Sequence, residues 1–197
     1  RRWVESEFKV MSAACGECLQ IVLPSDTVTG QRVPTPTQVV DVVAIQRGTG
    51  DPQRVIIIQG HLDSRISDVM NFTADAPGAN DDASGVAVVM ETARVLSKRS
   101  FSATLVYAAL SGEEQGLLGG RILAEYAKVQ GWQVLAVLNN DIVGNTRGLA
   151  QTVENRVRIF SEGVRSLESD AQGNARRSVG GEVDSPSRNL ARYMDEI

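Results

Sequence analysis

The run Val55-Ile56-Ile57-Ile58, closed by Gln59-Gly60 and followed at once by His61-Leu62-Asp63-Ser64, constrains this chain more than any other stretch. Four β-branched residues in succession leave no polar face, so they predict a strand buried on both sides, in a sheet sandwiched between helices. Open α/β sheets take their ligands at the carboxyl ends of their strands. The residue at this strand end, His61, is the only histidine in the chain. Further on, Asp81-Asp82, Glu113-Glu114 and Asp141 each follow an apolar run or open a helical pattern. One α/β layer can therefore bring all of them to the rim that carries His61.

Around this strand the periodicities alternate. Trp3, Val4, Phe8 and Met11 fall at helical spacing and predict a helix over residues 1–14, with its aromatics in the core. Residues 19–23 and 39–45 read as strands, joined by segment 29–37, whose Gly30, Pro34 and Pro36 mark a loop. The turn residues of 47–52 predict a hairpin into the Val55 strand, which gives that strand an antiparallel neighbour. Val86, Val89, Met90, Ala93 and Leu96 mark a helix over 83–98. A strand over 103–110, a helix over 117–129, and strands over 134–138 and 157–160 follow. Ser185-Pro186-Ser187 caps a final helix that runs through Leu190, Tyr193 and Met194. Trp132, beside Gly131, reads as a packed aromatic at a turn. The expected fold is α/β, a three-layer α/β/α sandwich with a mixed, mostly parallel central sheet, in one domain over 1–197.

At 197 residues and 42% hydrophobic content the chain can bury one sizeable core. A net charge of -4 argues against a general nucleic-acid surface, which needs clustered cations to displace counterions. No apolar run approaches the roughly 20 residues that cross a bilayer. Neither nucleic acid nor membrane is an expected partner. Cys15 and Cys18 form a lone Cys-Gly-Glu-Cys. With no second pair to complete a four-thiolate metal site, they read as two free thiols or as a local disulfide.

Taken singly, the acidic pairs have ordinary readings. Asp81-Asp82 suits a helix N-cap with a dipole-compensating acid, Glu113-Glu114 a solvated surface, and Asn140-Asp141 a turn. Their joint occurrence with His61, each at a strand end or helix start, overturns those readings. One imidazole, three carboxylates and a spare glutamate are the donor set of a hydrolytic zinc site. Asp63, two residues after His61, is placed to accept the second ring N–H and to fix the tautomer.

The series Gly60-His61-Leu62-Asp63-Ser64, Asp81-Asp82-Ala83-Ser84-Gly85, Glu113-Glu114 and Asn140-Asp141 resembles the di-zinc aminopeptidases and is similar to bacterial leucine aminopeptidases. The likeness is strong over 41–141 and weaker to 194. It implies that His61, Asp81 and Asp141 hold one zinc, and that Asp81 bridges to a second zinc held by Glu114. It also implies a cis peptide before Asp82, with Glu113 as general base and Asp63 as the companion of His61. The implied activity removes N-terminal residues from peptides, in a secreted or periplasmic setting. Glu113 takes the proton of the attacking water and returns it to the leaving amine, while the substrate's free α-amino group is held at the second metal.

In one respect the chain departs from that pattern. The family supplies a second histidine to the second zinc, well after the last aspartate, and none stands here. The chain is therefore expected to be incomplete at its C-terminus and to load one zinc or none. A carboxypeptidase, a deacylase or a single-zinc glutaminyl cyclase on the same scaffold is the alternative enzyme reading, since fold does not separate these. A non-catalytic scaffold module is the other; retention of Glu113 argues against it.

Overall fold

A computed structural model describes residues 1–148 and 150–197. These form two compact units, Arg1–Asn145 and Thr146–Ile197, where the sequence predicts one domain over 1–197.

In the first unit, α1 (Arg2–Ala14) precedes β1 (Gln20–Val22), β2 (Ser25–Gly30), β3 (Val33–Val40), β4 (Val42–Gln46) and β5 (Asp51–His61). Then come α2 (Ala83–Leu96), β6 (Ala103–Leu110), α3 (Leu118–Val129) and β7 (Gln133–Asn139). Five strands form one sheet in the order β1-β4-β6-β5-β7, and β2 pairs with β3 separately. β5 runs parallel to both β6 and β7, while β4 runs antiparallel to β1 and β6. The sheet is thus mixed, and it is parallel in the half that carries His61.

The period of two along each strand sorts the core into two layers. Val42, Ala44, Ile58, Leu105, Tyr107 and Ala109 pack against Val4 and Phe8 of α1 and Val86, Val89 and Ala93 of α2. Val43, Ile45, Val55, Ile57, Val106, Ala108 and Leu110 pack on the other face, against Leu123 of α3. Both faces are covered here, so the stretches 42–45, 55–58 and 105–110 of β4, β5 and β6 read as unbroken apolar runs. The polar tip of fully buried Tyr107 donates to Gln46 Oε1 at 2.8 Å. Trp132 packs against the second layer, edge-on to Tyr126. Of the α1 aromatics only Phe8 is core, because Trp3 remains 65% exposed. Cys15 and Cys18 are joined by a disulfide just beyond α1.

Three local expectations fail for identifiable reasons. Segment 29–37 is not a loop: β2 and β3 form a hairpin in which Gly30 pairs with Val33. A two-stranded ribbon leaves β3 a free edge, where Pro34 and Pro36 forfeit no ladder bond. The predicted strand over 39–45 breaks at Asp41, where the chain leaves the ribbon for the large sheet. The turn 47–52 does not close a hairpin either, because β6 lies between β4 and β5. Instead the turn lies against the entry to β6: Thr49 N donates to Phe101 O, and Gly50 N and Asp51 N donate to Ser102 O. Gly48 makes this possible, since a Cβ there would stand 2.4 Å from Ser102 O.

The second unit contains α4 (Asp170–Ser178) and α5 (Pro186–Asp195). Ser185 caps α5 as its sequence predicts, accepting from Arg188 N. Residues 157–160 are irregular, with Val157 71% and Phe160 84% exposed, so the strand expected there does not form. α4 has a reciprocal capping box between Ser169 and Gln172 but no apolar stripe to reveal it by periodicity. Among the described residues no helix is long and apolar enough to cross a membrane.

Candidate metal centre

Register builds the site. In the parallel half of the sheet His61 pairs with Leu110, and Gln59 pairs with Asn139. β5, β6 and β7 therefore end on one line, and the chain leaves each of them carrying a functional group: His61, then Glu113-Glu114, then Asp141. Asp81 arrives from the other side, immediately before the buried N-cap of α2.

His61 is 4% exposed, and its Nε2 stands 3.1 Å from Asp81 Oδ1 and 4.0 Å from Asp141 Oδ2. One donor atom from each of these three residues lies within 4.8 Å of the other two. Burial pushes the imidazole's pKa down, but the surrounding Asp82, Asp63, Glu113 and Asp141 outweigh it and leave the value raised. A cation at this point would relieve that unbalanced negative field.

Asp82 is the hub that holds these three residues in place. Fully buried, it accepts His61 N on Oδ2 at 2.9 Å and Gly85 N on Oδ1 at 3.0 Å. Ile142 N reaches the same Oδ1 at 3.4 Å. One carboxylate thereby fixes the strand end of His61, the helix start beside Asp81 and the backbone beside Asp141. The Asp81–Asp82 peptide is cis, as the family resemblance implies. The segment after Asp141 is pinned further by Gly144 N on Asn80 Oδ1 and Val143 N on Ser84 Oγ. α2 must lie close for this, and a Cβ on Gly85 would stand 2.3 Å from Asn140 O.

The structure corrects the expected task of Asp63. The ring nitrogen Nδ1 of His61 meets the main-chain oxygen of Asp63 at 3.0 Å, so the backbone, not the carboxylate, sets the tautomer that leaves Nε2 free. The Asp63 carboxylate instead accepts Glu113 N at 3.1 Å and Glu114 N at 3.0 Å, one on each oxygen. Its role is to hold the glutamate loop. Glu113 is half-buried, and burial, together with Glu114, Asp63 and Asp141, raises its carboxyl pKa against the opposing pull of His61. The Glu114 carboxylate lies apart from the three-residue cluster, on Arg65 Nε at 2.5 Å, while Arg32 Nη1 holds Glu114 O at 3.0 Å. Beside this loop runs a groove of about 460 Å³, lined by Val39, Met70, Phe72, Gly112 and Leu118 among others.

Of the residues expected from the sequence, the structure brings His61, Asp81 and Asp141 together and leaves Glu114 on Arg65; sequence reasoning missed Asp82 as a hub and Arg32 and Arg65 as partners of Glu114. The adjacency of Asp82 to a ligand was the available signal for the first. Nothing in the sequence marks the arginines.

Comparison with known proteins bears on the family and the fold. A profile described as peptidase family M28 matches residues 41–189. A probable zinc metalloprotease of Pyricularia oryzae is 42% identical over 200 residues, covering all of this chain and 40% of its own length. The chain spans less than half the length of this and a second curated relative. Among solved structures, LapB from Legionella pneumophila superposes with a TM-score of 0.56 at 24% identity, over 72% of this chain and 35% of its own. A Bacteroides thetaiotaomicron glutaminyl cyclase bound to N-acetylhistamine gives 0.59 at 18% identity, over 73% and 52%. At these identities the solved structures establish the α/β fold alone.

Proposed function

Because the chain belongs to peptidase family M28, we propose that it is the metal-binding part of an aminopeptidase that removes N-terminal residues from peptides, with Glu113 as the general base. The observation that carries this reading is the convergence of His61, Asp81 and Asp141 beside the strand end that presents Glu113. One imidazole nitrogen and two carboxylate oxygens fit zinc with a coordination position left open, as in catalytic sites. When bound, zinc supplies a Lewis acid for the scissile carbonyl and lowers the pKa of water.

The chain's own residues do the remaining work. The Asp63 carbonyl orients His61, and the Asp63 carboxylate orients Glu113. Glu113 accepts the proton of the attacking water and delivers it to the departing amine. The groove lined by Val39, Met70, Phe72 and Leu118 suits an apolar side chain of the substrate. With Glu114 on Arg65, one zinc is the expected loading of these 197 residues. The partner is a peptide with a free N-terminus, and the Cys15–Cys18 disulfide supports a secreted or periplasmic setting.

A single three-donor cluster among the described residues also keeps a single-zinc glutaminyl cyclase in view. The test measures zinc per chain after dialysis with limiting zinc, alongside turnover of an aminoacyl anilide with a free amine, the same anilide with a blocked amine, and an N-terminal glutaminyl peptide. The expected result is one zinc and release from the free-amine substrate alone. Glu113→Gln should keep that zinc and lose turnover about 10²–10⁴-fold. Undiminished turnover by this variant would remove Glu113 as the base. Cyclisation without anilide release would replace the peptidase with the cyclase.

A further inference from the structure

Asp41 is fully buried, lies outside the metal cluster, and is only half satisfied: Oδ2 has no hydrogen-bond partner among the described residues. A buried carboxyl of this kind costs stability, and a chain selected for packing alone has no reason to place it there. Its surroundings point to its use. Oδ1 accepts Ser111 N at 2.9 Å, and Ser111 Oγ donates in turn to Val40 O at 2.7 Å. Asp41 N is itself tied to Pro24 O at 2.9 Å. Ser111 is the first residue beyond β6 and precedes Glu113 by two positions, with Gly112 between them at φ 72°. That conformation makes Gly112 a pivot, because glycine visits it without a side-chain penalty.

α3 closes the arrangement. Gly119 N donates to Ser111 O at 2.8 Å, and a Cβ on Gly119 would stand 2.5 Å from Asp41 Oδ1 and 2.7 Å from Ser111 N and O. Carboxylates therefore grip the glutamate loop on both sides of its pivot: Asp41 before Gly112, and Asp63 after it at the amides of Glu113 and Glu114.

We infer that Asp41 is a positioning residue for Glu113, acting through Ser111 to set the direction in which the base-bearing loop leaves the sheet. The inference rests on the reading of Glu113 as the base. Its test is accordingly read in two independent ways on the intact natural polypeptide loaded with zinc: peptidase kinetics, and hydrogen exchange at the amides of Glu113 and Glu114. Asp41→Ala removes the acceptor, whereas Asp41→Asn keeps an oxygen for Ser111 N. Gly119→Ala crowds the same contact without deleting any group, and serves where Asp41→Ala fails to fold.

Asp41→Ala and Gly119→Ala should lower kcat about 100-fold with KM within about twofold, the scale on which a small misplacement of a reacting group acts. Both should speed exchange at Glu113 and Glu114 at least about tenfold, with zinc content unchanged. Asp41→Asn should stay within about threefold of the parent in both readouts. Unchanged exchange and kcat in Asp41→Ala, or equal loss in the Ala and Asn variants, overturns the inference. An inactive parent whose Glu113 and Glu114 amides still respond to Asp41→Ala would refute the base reading and leave the grip of Asp41 on the loop intact.

Discussion

Asp63 shows how one residue divides two tasks between its backbone and its side chain, and the division is testable. Asparagine at this position keeps the carbonyl that orients His61 but offers only one acceptor to the two amides of Glu113 and Glu114, and turns an N–H donor toward the other. Asp63→Asn should therefore retain zinc and lose kcat by about 10- to 100-fold, as judged by metal analysis beside steady-state kinetics. Loss of zinc instead would restore the carboxylate to the tautomer role. Asp41 makes a second residue-scale prediction, in stability. Burial raises its pKa from 3.8 to about 7, against the lowering hydrogen bond from Ser111. Between those values the folded chain holds a proton that the unfolded chain has released, so stability falls as pH rises from about 4 to about 7 and is flat above. The contribution is no more than about 4 kcal/mol, at about 1.4 kcal/mol per pH unit. Asp41→Asn should abolish this slope in urea unfolding measured from pH 4 to 8, and a parent that gains stability over the same range would contradict it. The convergence of His61, Asp81 and Asp141 was legible in the sequence because each follows a predicted strand or precedes a predicted helix, and the family resemblance pointed to the same residues and to Glu113. Asp41 and Arg65 were not, since their partners, Ser111 and Glu114, lie 70 and 49 residues away and meet them only through the fold.

Adjacent glycines on α3 separate helix propensity from close packing within one element. Nothing lies within 4 Å of a Cβ built on Gly120, whereas a Cβ on Gly119 meets Asp41 Oδ1 and the Ser111 backbone. Gly120→Ala should stabilise the chain by roughly 0.5–1 kcal/mol through reduced unfolded-state freedom. Gly119→Ala should destabilise it by roughly 1–3 kcal/mol through overpacking. Chemical denaturation of the two variants decides the matter, and effects of the same sign would show that α3 does not pack as closely as the contact requires. Element type was legible wherever apolar periodicity ran long: α2, β6, α3 and β7 start and end within two residues of their predicted positions. It failed where turn chemistry has two outcomes. Gly48, Gly50 and Pro52 in the turn 47–52 serve a hairpin and a strand-skipping crossover equally well, and only the insertion of β6 between β4 and β5 selects the second. Pro34 and Pro36 argued against a strand that the free edge of a two-stranded ribbon tolerates. α4 lay hidden because its helix signal is a cap without an apolar face.

At the scale of the whole molecule, the two edges of the main sheet are unequal. β1 closes one side with three residues, a short edge that offers little to a neighbouring chain. β7 closes the other with seven, pairs with β5 alone among the described residues, and leaves Val134 41%, Leu135 49% and Val137 47% exposed. Strands in the parallel part of an α/β sheet are ordinarily covered on both faces, so an apolar parallel edge strand left this open is a template for another chain. A net charge of -4 spread over 197 residues supplies only weak repulsion to oppose it. The 197-residue chain should therefore self-associate at tens of micromolar, with sedimentation equilibrium giving a mass that rises with concentration. Leu135→Lys combined with Val137→Lys places charge on the exposed edge without touching either the buried layers or the cluster of His61, Asp81 and Asp141, and should return the chain to a monomer with its zinc content unchanged. A parent that sediments as a monomer throughout that range would show that the edge is protected in solution. Association that persists in the double variant would place the contact away from β7.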